Sequence, residues 1–269
     1  MSIFKSIREQ KVKFIEWRVF IILYSIVVAL QLIYESSYLI SLSELYISNQ
    51  YFYVQQLIFI ILFVFSIFFM CFNKKFFFSG LLCSFFYFCF RWPSSSLGYH
   101  YDIAPIFVFI IFALSGLEKE SNNMIPAWPT YLIRFYLGLI YLSAGSSKII
   151  NSGLSWITGE SIKYSFLLRS LEVESDLPLH FANSQVICIV ISVLTLIFEL
   201  FFWTINLLPK YKFLYLIAGL IFHTTIFLSM GLNFSFYFGP MYLVLIPYRK
   251  VIILSRVMFK KARRLSVSF

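Results

Sequence analysis

The sequence predicts an all-α, polytopic membrane helix bundle of about eight transmembrane helices, with both termini cytoplasmic and a re-entrant or interfacial segment at 148–185. Three observations carry this. Of 269 residues, 60% are hydrophobic and 13% charged, with 34 Phe. Mean hydropathy is +0.84. A water-soluble core of this length does not need that much apolar surface. The apolar residues also gather into runs of the length a bilayer demands. Finally, the basic residues collect in alternate connections, the pattern that orients membrane helices.

The elements follow in order. A basic, cytoplasmic N-terminal stretch, 1–17, precedes the first apolar run. No small-residue cleavage site is evident after that run, so it reads as retained. Candidate spans lie at 18–35, 54–72, 75–91, 103–117, 130–147, 186–207, 213–230 and 235–248. The run at 75–91 ends on Arg91 and that at 103–117 has Pro105 near its start, so these two are the least regular. A basic amphipathic stretch, 249–269, closes the sequence and reads as a helix lying on the anionic cytoplasmic leaflet. No polar region is long enough for a separate soluble domain, and the whole of 1–269 reads as one membrane domain.

Lysines and arginines fix the orientation. Lys5, Arg8, Lys11, Lys13, Arg18, Lys74, Lys75, Lys119, Arg134, Lys210, Lys212 and the seven basic residues after Tyr248 fall on one side, making 18 of 22. Arg91, Lys148, Lys163 and Arg169 fall on the other. The net charge of +10 is thereby explained by membrane orientation, and nucleic acid is not an expected partner. The connection 148–185 mixes charged residues with Leu154, Ile157, Phe166, Leu167, Leu168 and Leu171, which suits a segment lying in or on the membrane.

Ionisable residues in apolar runs are few, and each is informative. Glu199 sits in Leu196-Ile-Phe-Glu-Leu-Phe-Phe-Trp203 and His223 in Leu220-Ile-Phe-His-Thr-Thr-Ile-Phe227. Both lie about 11 residues from the shared turn at Lys210–Lys212, so a rise of about 1.5 Å per residue places them at similar depth, within reach of each other. Such a pair either joins two helices by a hydrogen bond or poises the imidazole for proton transfer. Lys148 ends the stretch Tyr141-Leu-Ser-Ala-Gly-Ser-Ser-Lys148, just where an apolar helix runs out, with Trp156 and Gly159 following. It reads either as a snorkelling interfacial lysine or as a functional group. His100, in Leu97-Gly-Tyr-His-Tyr-Asp102, faces the same side as Lys148, and Asp102 suits a helix cap. Cys71, Cys83, Cys89 and Cys188 form no CxxC pair and read as packing residues. The scattered histidines offer no metal-ligand spacing.

The segment Tyr141-Leu-Ser-Ala-Gly-Ser-Ser-Lys148, with Trp156 and Gly159 after it, resembles the Y-x-x-A-G-x-x-K…W…G signature of horizontally transferred transmembrane (HTTM) domains, the family of the vitamin K-dependent gamma-glutamyl carboxylase. Phe222-His223 with Gly231-Leu-Asn-Phe234 resembles the family's F-H…G-x-F stretch. Glu199 lies near its membrane glutamate, and Gly98-Tyr-His100 resembles its N-H element. The likeness covers about residues 15–250. It implies a catalytic role for Lys148, His223 and His100, and a cofactor-binding surface at Trp156, Gly159 and Glu199, where a reduced quinone is the implied cofactor. Two departures stand out. Ser147 replaces a second lysine, and the sequence continues only about twenty residues past the last span, where the carboxylase has a large lumenal region. The size is closer to short bacterial members of the sporulation-delaying-protein B type, which assist maturation of a secreted peptide toxin. The implied partners are then membrane lipid, a secreted peptide substrate and a small companion protein. A quinone-linked oxidoreductase and a non-enzymatic transporter or immunity protein are the rival readings.

Overall fold

A computed structural model describes residues 11–46, 50–72, 77–95, 104–117, 124–172, 176–230, 235–248, 251 and 253. The chain is predominantly helical and divides into two compact units, 1–129 with 246–269, and 130–245.

The first unit contains α1 (Phe14–Tyr46), α2 (Gln50–Phe72), α3 (Phe77–Ser95) and α4 (Ala104–Ser115). A short antiparallel ribbon also belongs to it, with β1 (Lys11–Lys13) pairing β2 (Met124–Pro126) so that Val12 faces Ile125. Its core is aromatic. Trp17, Phe20 and Tyr24 recur on one face of α1 at helical spacing and are all buried. They meet Phe112 of α4 edge-on, at 5.4, 5.6 and 5.4 Å between ring centroids. The quadrupoles of the rings favour this T-shaped geometry. Phe63 of α2 completes the layer against Phe109 and Tyr87. The Trp17 indole donates to Ser115 Oγ at 3.2 Å, so its polar edge is satisfied inside the core. At Gly80 the backbones of α3 and α4 nearly touch: a Cβ there would lie 2.8 Å from Ala113 N.

The second unit is built on α5 (Trp128–Ser152), α9 (Gln185–Phe201) and α10 (Lys212–Met230). Between α5 and α9 run three short helices, α6 (Leu154–Ile157), α7 (Glu160–Ser170) and α8 (Leu177–Ala182). The expected re-entrant or interfacial segment thus consists of three short helices. Ser184 starts α9 as its N-cap, the hydroxyl accepting from Ile187 N. Short 3₁₀ turns at Phe202–Asn206 and Pro209–Tyr211 join α9 to α10. Helix α11 (Ser235–Tyr242) and a 3₁₀ turn at Leu243–Leu245 follow.

Among the described residues, three helices are long and apolar enough to cross a membrane: Phe14–Tyr34, Gln185–Asn206 and Pro209–Met230. Leu57–Met70, Phe77–Phe90 and Ala104–Ser115 are apolar but shorter. Large apolar side chains cover the outer faces too: Leu30, Phe65, Phe72, Phe78, Leu194, Ile221 and Leu228 are all more than half exposed. A helix that is apolar on both its packed and its outer face belongs in lipid, and the chain is a membrane protein. The cytoplasmic tail expected at 249–269 lies outside the described residues except for Val251 and Ile253.

Candidate functional site

The second unit gathers its polar groups on three facing helices. On α5, Tyr141, Gly145 and Lys148 fall at i, i+4 and i+7, one face of the helix. On α9 the buried positions Cys188, Ser192, Thr195 and Glu199 recur at the same period. On α10, Gly219 and His223 are buried one turn apart.

Two glycines let α5 approach α9 and the 3₁₀ turn that follows it. A Cβ at Gly138 would lie 2.9 Å from Trp203 Cα, and one at Gly145 would lie 3.1 Å from Glu199 Cβ. One turn beyond Gly145, Lys148 reaches across. Its Nζ donates to both carboxylate oxygens of Glu199, at 2.7 and 2.8 Å. The Glu199 side chain is only 7% exposed and that of Lys148 25%. The lysine's other neighbour is the face of Trp156, whose ring centroid lies 5.3 Å from Nζ, a cation–π arrangement. The indole nitrogen of Trp156 in turn donates to Ser192 O at 3.3 Å, which fixes the ring against α9. The pair carries no net charge, and bidentate, charge-assisted bonds are the form in which an ion pair survives burial.

A second polar cluster joins α5 to α10 and α11. The Tyr141 hydroxyl is hydrogen-bonded to His223 Nε2 and, at 2.5 Å, to the hydroxyl of Tyr242. Gly219 makes room for this contact, because a Cβ there would overlap the Tyr242 ring. Aromatic rings enclose the cluster. Phe202 lies 4.5 Å and Phe198 5.2 Å from Tyr141, and Phe198 stacks on Phe222 at 4.3 Å.

The sequence-predicted residues therefore separate into two groups. Lys148, Glu199 and Trp156 meet in one cluster and His223 joins another. The direct Glu199–His223 pairing expected from their equal depth gives way to Lys148 as the partner of the carboxylate and Tyr141 as the partner of the imidazole. Rotation about the helix axes turns each toward α5. Gly159 has a packing role. It takes φ +81°, and a Cβ would lie 2.7 Å from Ile189 N and 2.8 Å from Cys188 C, so it lets the start of α7 rest on the α9 backbone. His100 and Asp102 lie outside the described residues, as does Gly231–Phe234. Cys188 is buried among apolar side chains, its thiol directed at Phe181 O at 3.3 Å.

Sequence reasoning passed over Tyr242 and Gly219, and treated Tyr141 only as part of a motif. A signal existed for two of them: Gly219 precedes His223 by one helical turn, and Tyr141 precedes Lys148 by two. Nothing local marks Tyr242. Arg134, expected at the entry of the span 130–147, is buried within α5, its Nε donating to Thr130 O at 3.2 Å and its guanidinium lying over the Tyr131 ring.

The Lys148–Glu199 contact is of the kind that permits proton exchange and hydrogen bonding to a polar guest. The rings around Tyr141 touch one another, and its hydroxyl, the imidazole and the Tyr242 hydroxyl bond among themselves. Among the described residues no group of three or more His, Cys, Asp or Glu side chains converges on a metal position. No family model, curated protein or solved structure matches the chain.

Proposed function

We propose that the chain is a multi-pass protein of the cytoplasmic membrane, of HTTM type, that assists the modification or maturation of a secreted peptide at a site centred on Lys148 and Glu199. The observation that carries this reading is the bidentate Lys148–Glu199 ion pair, its carboxylate buried on an apolar helix and its lysine supplied by the segment that resembles the HTTM signature. An ionisable pair is an expensive feature inside a membrane bundle. Replacing such a pair by apolar residues of similar volume is often neutral or stabilising, so stability alone is a weak reason for it, and ionisable groups at such depth mark substrate or proton paths.

The chemistry follows from the geometry. Nζ and the carboxylate are in direct hydrogen-bond contact, so a proton moves between them without net charge entering the apolar surroundings. Two protons of the ammonium are committed to Glu199. The third is available to a neutral acceptor such as a peptide carbonyl, with the Trp156 ring as a flat wall beside it. The Tyr141–His223–Tyr242 cluster ties α5, which carries Lys148, to α10 and α11. The basic-residue distribution supports eight spans with both termini cytoplasmic, which puts Lys148 at the outward end of α5, the side a secreted peptide reaches.

The test is co-expression of the chain with each small secretory peptide encoded beside its gene, followed by mass spectrometry of the released product. The mature mass is expected with the wild-type chain and is lost with Lys148→Ala at equal membrane abundance. A product mass indifferent to the chain, or unchanged by Lys148→Ala, overturns the proposal.

A further inference from the structure

Helix α7 is apolar on two opposite sides. Ile162 and Phe166 point inward, into a cluster with Ala182, Cys188 and Met230. On the opposite side Tyr164, Leu167, Leu168 and Leu171 form a stripe at i, i+3, i+4 and i+7, with exposures of 64, 38, 46 and 84%. Helical periodicity cannot bring both sets to one core, and an ordinary amphipathic surface helix carries its polar residues opposite its buried face. Here the polar residues lie at the ends and flanks: Glu160 opens the helix, and the Arg169–Glu172 ion pair closes it.

We propose that this stripe is a lipid-binding surface, seated in the acyl-chain boundary of the leaflet that surrounds the start of α9 and the end of α10, with α7 lying along the membrane plane. The inward cluster is what sets its depth. Cys188 belongs to the first turns of α9 and Met230 is the last residue of α10, and both helices are long and apolar enough to cross a membrane. Helix α7 is thus bolted to the ends of two spanning helices. Its stripe continues an apolar exterior that α9 already presents through Val186 and Val190, 70 and 49% exposed. Its length agrees. Eleven residues rise about 16 Å, too short for a crossing and suited to an in-plane segment with an apolar face in the lipid and polar ends at headgroup level. Leu177 and Leu179 of α8 are also exposed and extend the same type of surface. Hydrocarbon is favoured over a protein partner because the stripe is held against the ends of two helices that are themselves long and apolar enough to lie in lipid. The inference holds whatever chemistry Lys148 performs.

Nitroxide labels placed singly at Tyr164→Cys, Leu168→Cys and Leu171→Cys test it, with Cys71 and Cys89 replaced by serine and the full chain in phosphatidylcholine nanodiscs. Collision with oxygen, which concentrates in hydrocarbon, is expected to exceed collision with a water-soluble nickel chelate severalfold at all three positions. At Glu172→Cys the order is expected to reverse. Preference for the nickel chelate along the stripe would mean a water-facing helix. Low collision with both reagents, with immobilised spectra, would mean that another segment, a second copy or a bound peptide covers it. Either result overturns the proposal, and three independently labelled positions, each checked for helical circular dichroism, keep a single misfolded variant from deciding the outcome.

Discussion

At the scale of single residues, the informative contrast is between Lys148 and its partner. Glu199 is the more deeply buried of the two, so losing the lysine leaves a carboxylate without compensation in apolar surroundings. Removing one member of a buried pair costs about 3–5 kcal/mol, while replacing both by apolar residues of similar volume is near neutral. The partial exposure of Lys148 discounts the expected cost to about 2–3 kcal/mol, below that range. Lys148→Met and Glu199→Leu are each expected to lower the thermal midpoint of the detergent-purified protein. The double variant is expected to recover most of the loss, and recovery that fails would mean the pair is not the unit described. Tyr141 gives the second prediction at this scale. Its hydroxyl serves both His223 and Tyr242, so Tyr141→Phe strands two buried polar partners while preserving the ring's packing. An unsatisfied buried group costs about 1–3 kcal/mol. The expected outcome is a lower thermal midpoint with unchanged helical content, and a midpoint equal to wild type would remove the cluster from the account.

At the scale of elements, small residues decide which helices meet. Gly138 and Gly145 sit on one face of α5 and bring it close to the 3₁₀ turn after α9 and to the Glu199 and Leu200 side chains of α9, the small-residue packing that membrane helices use where no hydrophobic drive separates helix from lipid. Lys148 reaches Glu199 because Gly145 comes first. Gly145→Val is expected to part the helices and break the ion pair, raising the reactivity of Lys148 toward an amine-modifying reagent severalfold; unchanged labelling would show that another contact holds the crossing. Gly219 acts likewise on α10. Gly219→Ala drives a methyl into the Tyr242 ring, and overpacking of this kind costs about 1–3 kcal/mol. Adding Tyr242→Leu should relieve much of that cost, read as a rise in thermal midpoint of the double variant over Gly219→Ala.

At the scale of the whole molecule, orientation is the property to test. Eight spans with both termini inside put Glu172 outside and Lys210 inside. A cysteine at Glu172 is expected to react with a membrane-impermeant maleimide in intact cells, and one at Lys210 only after permeabilisation; the opposite pattern reverses the topology. The sequence by itself determined the class of the molecule. Long apolar runs leave the backbone no way to satisfy its hydrogen bonds in lipid except as helices; each candidate run overlaps a helix among the described residues, and three of these helices are long and apolar enough to cross a membrane. It also marked Lys148, Glu199 and His223, because ionisable groups in such runs are rare enough to stand out. Pairing was beyond it. Lys148 and Glu199 are 51 residues apart and Tyr141 and His223 are 82 apart. Depth along a helix can be counted from the sequence, but rotation about its axis and the distance between helices depend on what packs at the crossings. Gly138, Gly145 and Gly219 settle those crossings only once the partner helix is in place. The tertiary structure alone therefore decided that the carboxylate belongs to the lysine and the imidazole to a tyrosine.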